Sequence, residues 1–372
     1  MNRSACIDRL HNPISELLDK AGADSTHSCM TDFRIKQLSN PFRKEYTKLS
    51  FNPNTFNLNN MAFVPPSGVW CPAITFFNHS DDTLDLPSQA QYYQYLSQTG
   101  LAGLVILGTN AEAFLLTREE RSALISTARQ AVGPSFPLMA GVGAHSTKQV
   151  LELVTDAAKA GANYLLVLPP AYFGKATTNA VIERFYDDVA AHSPLPIIIY
   201  NFPVVCNGVD LDSEFITKLA KKHANIVGVK LTCASVGKIT RLAASLPAAE
   251  FATFGGQSDF LIGGLSVGSA GCIAAFANVF PKSLSKIYSL YKEGKVDEAL
   301  KIHRVAALAE SPCKAGIAST KYAAAIHTAK AAGIEGAEEK LKPRTPYMPV
   351  AEAAKGQIKD VMAEMAAIEA SL

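Results

Sequence analysis

From residue 69 onward the chain alternates between two hydrophobic periods. Short apolar runs of strand length occur at 69–76, 103–107, 137–141, 163–168, 196–200, 226–230, 251–255 and 270–274. Near-continuous runs of this kind are the pattern of parallel strands covered on both faces. Between them lie segments with apolar residues on one helical face, at 86–99, 117–131, 146–160, 178–191, 213–222, 235–245 and 258–266. Several carry start signals. Thr117-Arg118-Glu119-Glu120 is a capping-box sequence, Ser146 and Thr147 precede a face of Val150, Leu151, Val154 and Ala158, and Asp212 and Ser213 open a helix bearing Phe215, Ile216 and Leu219. Gly133 and Gly161 stand where a helix favours a closing glycine.

Strands alternating with helices fit an open doubly wound α/β sheet or a closed (β/α)8 barrel. Eight units over about 210 residues favour the TIM barrel. Gly141-Val142-Gly143 lacks the third glycine of a dinucleotide-binding turn. Beyond 281 the chain is rich in alanine and helical, with segments near 281–293, 296–309, 315–332 and 350–370. The expected division is a barrel over 61–295 and additional C-terminal helices, a helical subdomain, over 296–372.

Residues 1–60 show neither period. They are polar, rich in Asn and Ser, and hold eight Lys/Arg against six Asp/Glu. That balance is unlike the acid-poor helix of a transit peptide, and no apolar stretch offers a secretory signal. The segment reads as a disordered or loosely packed extension, dispensable to a domain that opens at Met61, or as the product of an upstream start codon. Over all 372 residues the chain is 48% apolar and 18% charged, with net charge +2, an ordinary soluble composition. The balanced charge argues against a nucleic-acid or anionic-membrane partner, and no apolar run reaches the length of a membrane span. Seven cysteines without a CxxC pair and eight scattered histidines announce neither a disulfide framework nor a local metal site. The expected location is cytoplasmic.

In a barrel of this kind chemistry belongs at the C-terminal ends of the strands. Polar and reactive residues gather there: Gly108-Thr109-Asn110-Ala111-Glu112 after the second strand, Pro169-Pro170-Ala171-Tyr172 after the fourth, Tyr200-Asn201-Phe202-Pro203 after the fifth, Lys230 on the sixth, and Gly255-Gly256-Gln257-Ser258-Asp259 after the seventh. Lys230 stands out because its neighbours from Ile226 to Leu231 are apolar or glycine. Burying an ammonium is costly, and a lysine so placed tends toward the neutral amine, a nucleophile for carbonyl carbon. The segment alone favours the plainer reading, a strand-end lysine whose head reaches water.

Three motifs in this order, Gly108-Thr109-Asn110-Ala111-Glu112, Tyr200-Asn201-Phe202-Pro203 and Ile226-Val227-Gly228-Val229-Lys230, resemble those of the dihydrodipicolinate synthase/N-acetylneuraminate lyase family of class I aldolases. The resemblance covers roughly residues 65–335. It implies an imine between Lys230 and the keto carbon of pyruvate or another 2-keto acid, with no separate cofactor. It implies Tyr200 as proton shuttle, Thr109 as relay hydroxyl, and Tyr172 as a residue reaching into a neighbouring subunit's site. The assembly would then be a homo-oligomer, a dimer or dimer of dimers. Thr109 and Asn110 would bind the substrate's 1-carboxylate through successive N–H groups and their side chains. Gly255 and Gly256 would leave room for the substrate chain, with Ile273 in the same binding set. Gln257, Ser258 and Asp259 would bond its hydroxyls, or Ser258 and Asp259 would cap the next helix.

Two departures narrow the substrate. Ala111 stands where the family loop has glycine, so the turn is expected to differ there. After Tyr200 this chain reads Pro203-Val204-Val205-Cys206-Asn207-Gly208, without the arginine that resembling synthases use to hold a semialdehyde carboxylate. Dihydrodipicolinate synthase activity is therefore not expected. The motifs look nearest to those of fungal sugar-acid members, which implies retro-aldol cleavage of a 2-keto-3-deoxy sugar acid, such as 2-keto-3-deoxy-L-galactonate, to pyruvate and glyceraldehyde. The alternative is a 4-hydroxy-2-oxoglutarate aldolase, which needs a cation for the distal carboxylate; Lys175 is the candidate. A dehydratase of the same family and a non-catalytic keto-acid sensor follow behind.

Overall fold

The eight apolar runs become eight short strands, every residue of which is buried: β1 Gly68–Pro72, β2 Gly103–Ile106, β3 Leu138–Gly141, β4 Tyr164–Val167, β5 Ile197–Asn201, β6 Ile226–Leu231, β7 Ala252–Gly255 and β8 Gly271–Ile273. In this computed structural model, which describes residues 63–372, each strand pairs in parallel with the next and β8 returns to β1. The chain is a closed TIM barrel. The expectation of a loosely packed, dispensable extension falls on residues 1–60, outside the described residues.

The connecting helices are α1 Leu86–Ser97, α2 Arg118–Val132, α3 Thr147–Lys159, α4 Asn179–His192, α5 Ser213–Lys222, α6 Val236–Ser245, α7 Leu261–Leu265 and α8 Pro281–Lys292. Their starts follow the sequence signals. The Thr117 hydroxyl accepts from Glu120 N–H while the Glu120 carboxylate accepts from Thr117 N–H, a complete capping box. Asp212 accepts from Phe215 N–H at the start of α5. A two-stranded hairpin, Phe77–Asn78 with Thr83–Leu84, stands between β1 and α1 and has no counterpart in the sequence reading.

Side chains alternate across the strands into two apolar layers. One lies between strands and helices. The other fills the barrel with Trp70, Val105, Met139, Tyr164, Leu166, Ile198, Tyr200, Val227, Phe254 and Ile273. The Trp70 ring is fully buried, edge-on to Tyr164 at 6.0 Å and Phe254 at 6.3 Å, and its indole N–H donates to the Pro66 carbonyl at 3.0 Å. Four further helices follow: α9 Val296–Ala309, α10 Ile317–Ala324, α11 Ala337–Lys340 and α12 Glu352–Ala370. Their residues Ala299, Ala306, Tyr322, Ile358, Met362 and Met365 share the outer apolar core with the barrel. The segment expected as one helix over 315–332 is interrupted by a π-helical turn at Ala325–Ala329. Among the described residues no helix is long and apolar enough to cross a membrane.

Candidate active site

Lys230 reaches the barrel interior because β6 is irregular. Ile197 pairs with Ile226 but Ile198 pairs with Gly228, so Val227 is an extra residue opposite β5. Val227 packs inside the barrel, whereas Val229 and Leu231 pack outside it. Strict alternation from Val227 would have turned Val229 inward and Lys230 outward. The bulge shifts the phase by one residue and turns Lys230 inward. Gly228 permits it: a Cβ there would lie 2.6 Å from the Ala252 carbonyl oxygen.

Lys230 is 3% exposed and stands opposite Tyr200 across the β5–β6 ladder. Its Nζ lies 4.2 Å from the centre of the Tyr200 ring. That ring stacks on Phe202, and its hydroxyl lies 3.4 Å from Thr109 Oγ1. Amine, phenol and threonine hydroxyl thus meet at one mouth. Thr109 and Asn110 open a short 3-10 turn, Thr109–Ala111, so their N–H groups have no acceptor within it. The residue with positive φ in this turn is Glu112, at 56°, and not Ala111, so alanine carries no backbone strain there.

The loop after Tyr200 is tied down by Asn201. Its amide donates to Asp210 at 2.7 Å and accepts from Leu211 N–H at 2.9 Å. The buried Lys238 ammonium donates to Asp210 and to the Leu211 carbonyl, each at 2.6 Å. Burial works against the Asp210 carboxylate, but the bonds from Lys238 and Asn201 outweigh it and hold the carboxyl below its usual range.

The β7 loop differs from expectation. The space beside Gly255 is filled by the Phe260 ring, which a Cβ would approach to 2.7 Å, and that beside Gly256 by Thr232, whose Oγ1 a Cβ would meet at 2.2 Å. At both glycines the space a Cβ would occupy is taken by a protein side chain. Ser258 is fully buried and donates its hydroxyl to Glu310 at 2.7 Å, so it neither faces the mouth nor caps α7, which starts only at Leu261. Burial lifts the Glu310 carboxyl above its usual range in spite of the two Ser258 bonds. Asp259 pairs with Lys314. Gln257 is half-buried, and Ile273 lies wholly inside the barrel cluster with Tyr200.

Tyr172 is 73% exposed, against His145 and Phe173. Lys175 is exposed in a short turn, Gly174–Ala176. Three residues of the site received no role of their own from the sequence. Gly228 carried a usable signal, an isolated glycine in a strand. Thr232, two residues past Lys230, has a buried hydroxyl with no partner among the described residues. Arg121, on the first turns of α2, borders the same small cavity as Thr109 and Tyr200. Its guanidinium lies over the Phe114 ring at 5.5 Å, and no carboxylate pairs with it among the described residues. No three His, Cys, Asp or Glu side chains among those residues are grouped to hold a metal ion.

The chain has relatives of similar sequence and fold. A protein of Coccidioides immitis (strain RS), provisionally named a mitochondrial 4-hydroxy-2-oxoglutarate aldolase, is 74% identical over 309 residues, 83% of this chain and 98% of the relative. The L-threo-3-deoxy-hexylosonate aldolase of Hypocrea jecorina is 40% identical, over 69% of this chain and 85% of that one. A dihydrodipicolinate synthase family protein from Coccidioides immitis superposes with a TM-score of 0.80 at 72% identity, covering 83% of this chain and 98% of that one. A prophage protein of the family from Escherichia coli K12, solved in complex with pyruvate, superposes with a TM-score of 0.72 at 27% identity, covering 80% and 98%. The word mitochondrial in the first of these names overturns the expectation of a cytoplasmic location. Charge balance over residues 1–60 tests for one kind of leader only and does not report the compartment. The family model described as the dihydrodipicolinate synthetase family matches residues 65–365. With those residues matched and the lysine, tyrosine and turn gathered at the barrel mouth, the chain belongs to the dihydrodipicolinate synthetase family.

Proposed function

We propose that this chain is a class I aldolase that splits a 4-hydroxy-2-keto acid through an imine on Lys230. The observation that carries the reading is the Lys230 amine 4.2 Å from the Tyr200 ring, whose hydroxyl contacts Thr109 beside a turn with free N–H groups. The 1-carboxylate sits on the N–H groups of Thr109 and Asn110. The amine adds to the keto carbon and water leaves, giving a protonated imine. Tyr200 relays the proton of the C4 hydroxyl, accepting it as its own phenolic proton passes through the Thr109 hydroxyl toward solvent, the C3–C4 bond breaks, and its electron pair passes to the imine nitrogen as an enamine. The aldehyde departs. Protonation at C3 and hydrolysis then release pyruvate and restore the amine. The lysine is its own cofactor. Tyr172, too exposed to serve this mouth alone, completes the site of a second copy. Beside it lies an open groove of about 560 Å³ between His145, Phe173 and Arg184.

The leading substrate is a 2-keto-3-deoxy sugar acid, cleaved to pyruvate and glyceraldehyde, in keeping with the Hypocrea jecorina relative. Arg121 favours the second reading, 4-hydroxy-2-oxoglutarate, in keeping with the Coccidioides immitis relative: it is a cation at the mouth that a distal carboxylate could pair, and it replaces exposed Lys175 in that role. Incubation with pyruvate and sodium borohydride, followed by peptide mapping, places the reduced adduct on Lys230; an unlabelled Lys230 sinks the imine. A panel of keto acids scored for pyruvate release then separates the substrates. Arg121→Met should lower kcat/KM for hydroxyoxoglutarate roughly tenfold more than for the sugar acid if the distal carboxylate is held there. Loss of water without pyruvate release would identify a dehydratase.

A further inference from the structure

The turn that receives the carboxylate is held from the far end of the chain. Its last residue, Glu112, is 5% exposed and left-handed, so the side chain turns back beneath the turn into the protein. One carboxylate oxygen accepts from the Lys321 ammonium and the other from the Arg344 backbone N–H at 2.8 Å. Lys321, on α10, is fully buried; it also donates to the Lys342 carbonyl at 3.0 Å and lies over the Phe77 ring at 4.6 Å. Arg344 binds the neighbouring segment, donating to the Leu115 carbonyl at 3.0 Å, to Glu120 at 2.7 Å and to Asp82 at 2.9 Å. From the barrel side the Thr75 hydroxyl donates to the Ala111 carbonyl at 2.8 Å. These contacts lie directly behind Thr109 and Asn110.

A buried ion pair is a poor source of net stability, because desolvation of both charges offsets their attraction. It is effective at fixing geometry, since either charge without the other is strongly disfavoured and the arrangement has few alternatives. Here the fixed object is a turn whose two N–H groups must converge on one anion, and small displacements of such donors weaken binding steeply.

We propose that Lys321 is a positioning residue of the carboxylate site: acting through Glu112, it sets the turn at 109–111, which makes α10, though not α12, part of the substrate-binding machinery. This rests on the reading of that turn as the carboxylate site, and it holds whether or not Lys230 forms an imine. The test is pyruvate affinity by calorimetry on the full chain, with borohydride trapping in parallel. Glu112→Gln keeps the shape of the side chain and removes its charge, and Lys321→Met removes the partner. Each is expected to weaken pyruvate binding about tenfold or more while the protein stays folded by circular dichroism. The double variant, with both charges gone, is expected to bind more tightly than either single one. Met362→Ala, a cavity in the core of α12, is the control: it should lower the melting temperature and leave affinity unchanged. Wild-type affinity in Glu112→Gln, or an equal loss in Met362→Ala, overturns the proposal. Pyruvate binding without a Lys230 adduct refutes the imine and leaves this inference standing, and a wild-type chain that binds no pyruvate refutes both.

Discussion

At the scale of single residues, the Glu112–Lys321 ion pair joins two buried side chains that lie far apart in the sequence. Lys230 and Tyr200 were legible because each lies at the end of an apolar strand and the barrel brings such ends together. Glu112 was visible as part of a motif but had no role, because its partners Lys321 and Arg344 lie 209 and 232 residues further on. The same pair gives a pH signature. Burial pulls the Lys321 amine down to about 8, although Glu112 opposes this. The folded pKa lies below the unfolded value of about 10.4, so the unfolded chain binds more protons between them. The contribution of Lys321 to stability is therefore complete above the unfolded pKa and is lost as pH falls through 8. Between pH 7.5 and 9.5 the unfolding free energy of the wild type should rise by about 2 kcal/mol relative to Lys321→Met. Comparison with the variant cancels the buried tyrosines Tyr92 and Tyr186, whose raised pKa values act in the opposite direction at higher pH. Chemical denaturation at the two pH values measures it, and a flat difference would mean that the amine is not held low.

At the scale of elements, the periods located all eight strands and the helices between them, because a strand buried on both faces and a helix buried on one leave different spacings. Elements made by tertiary contact were missed. The Phe77–Asn78 hairpin is two residues a side, too short for a period, and α7 begins only at Leu261, past the buried Ser258 whose hydroxyl donates to Glu310. The β6 bulge belongs to the same class, and its cost can be measured. Gly228→Ala places a methyl against the Ala252 backbone, where no flexible side chain can yield. We expect about 2 kcal/mol of destabilisation, from overpacking between two backbones. Any protein that folds by straightening the strand should turn residue 230 outward and lose pyruvate trapping. A stable variant with wild-type trapping would show that the bulge does not set the direction of the lysine.

At the scale of the whole molecule, the barrel and its C-terminal helices share one apolar core, and the mouth carries an unusually exposed aromatic rim: Phe114 at 55%, Tyr172 at 73% and Phe173 at 74%. Such a patch on one face marks an interaction surface. If Tyr172 completes a second copy's site, two variants that each lack one half should complement each other. Lys230→Ala and Tyr172→Phe, each nearly inactive alone, should recover up to about a quarter of wild-type turnover when refolded together, since one site of each mixed dimer then holds both native residues. No recovery in mixtures shown to exchange subunits would place Tyr172 outside the neighbour's chemistry.

Trp70, the chain's one tryptophan, sits where the eight strands converge, edge-on to two aromatic rings and with its N–H on Pro66. Its emission is thus a single-site optical reporter of whether the barrel is closed, blue-shifted while the indole is dry and moving to the red only when water enters the interior. Turn variants such as Glu112→Gln can be sorted by it at once: a weakened site with unshifted fluorescence is a loosened turn on an intact barrel, and a red shift is a barrel that has opened.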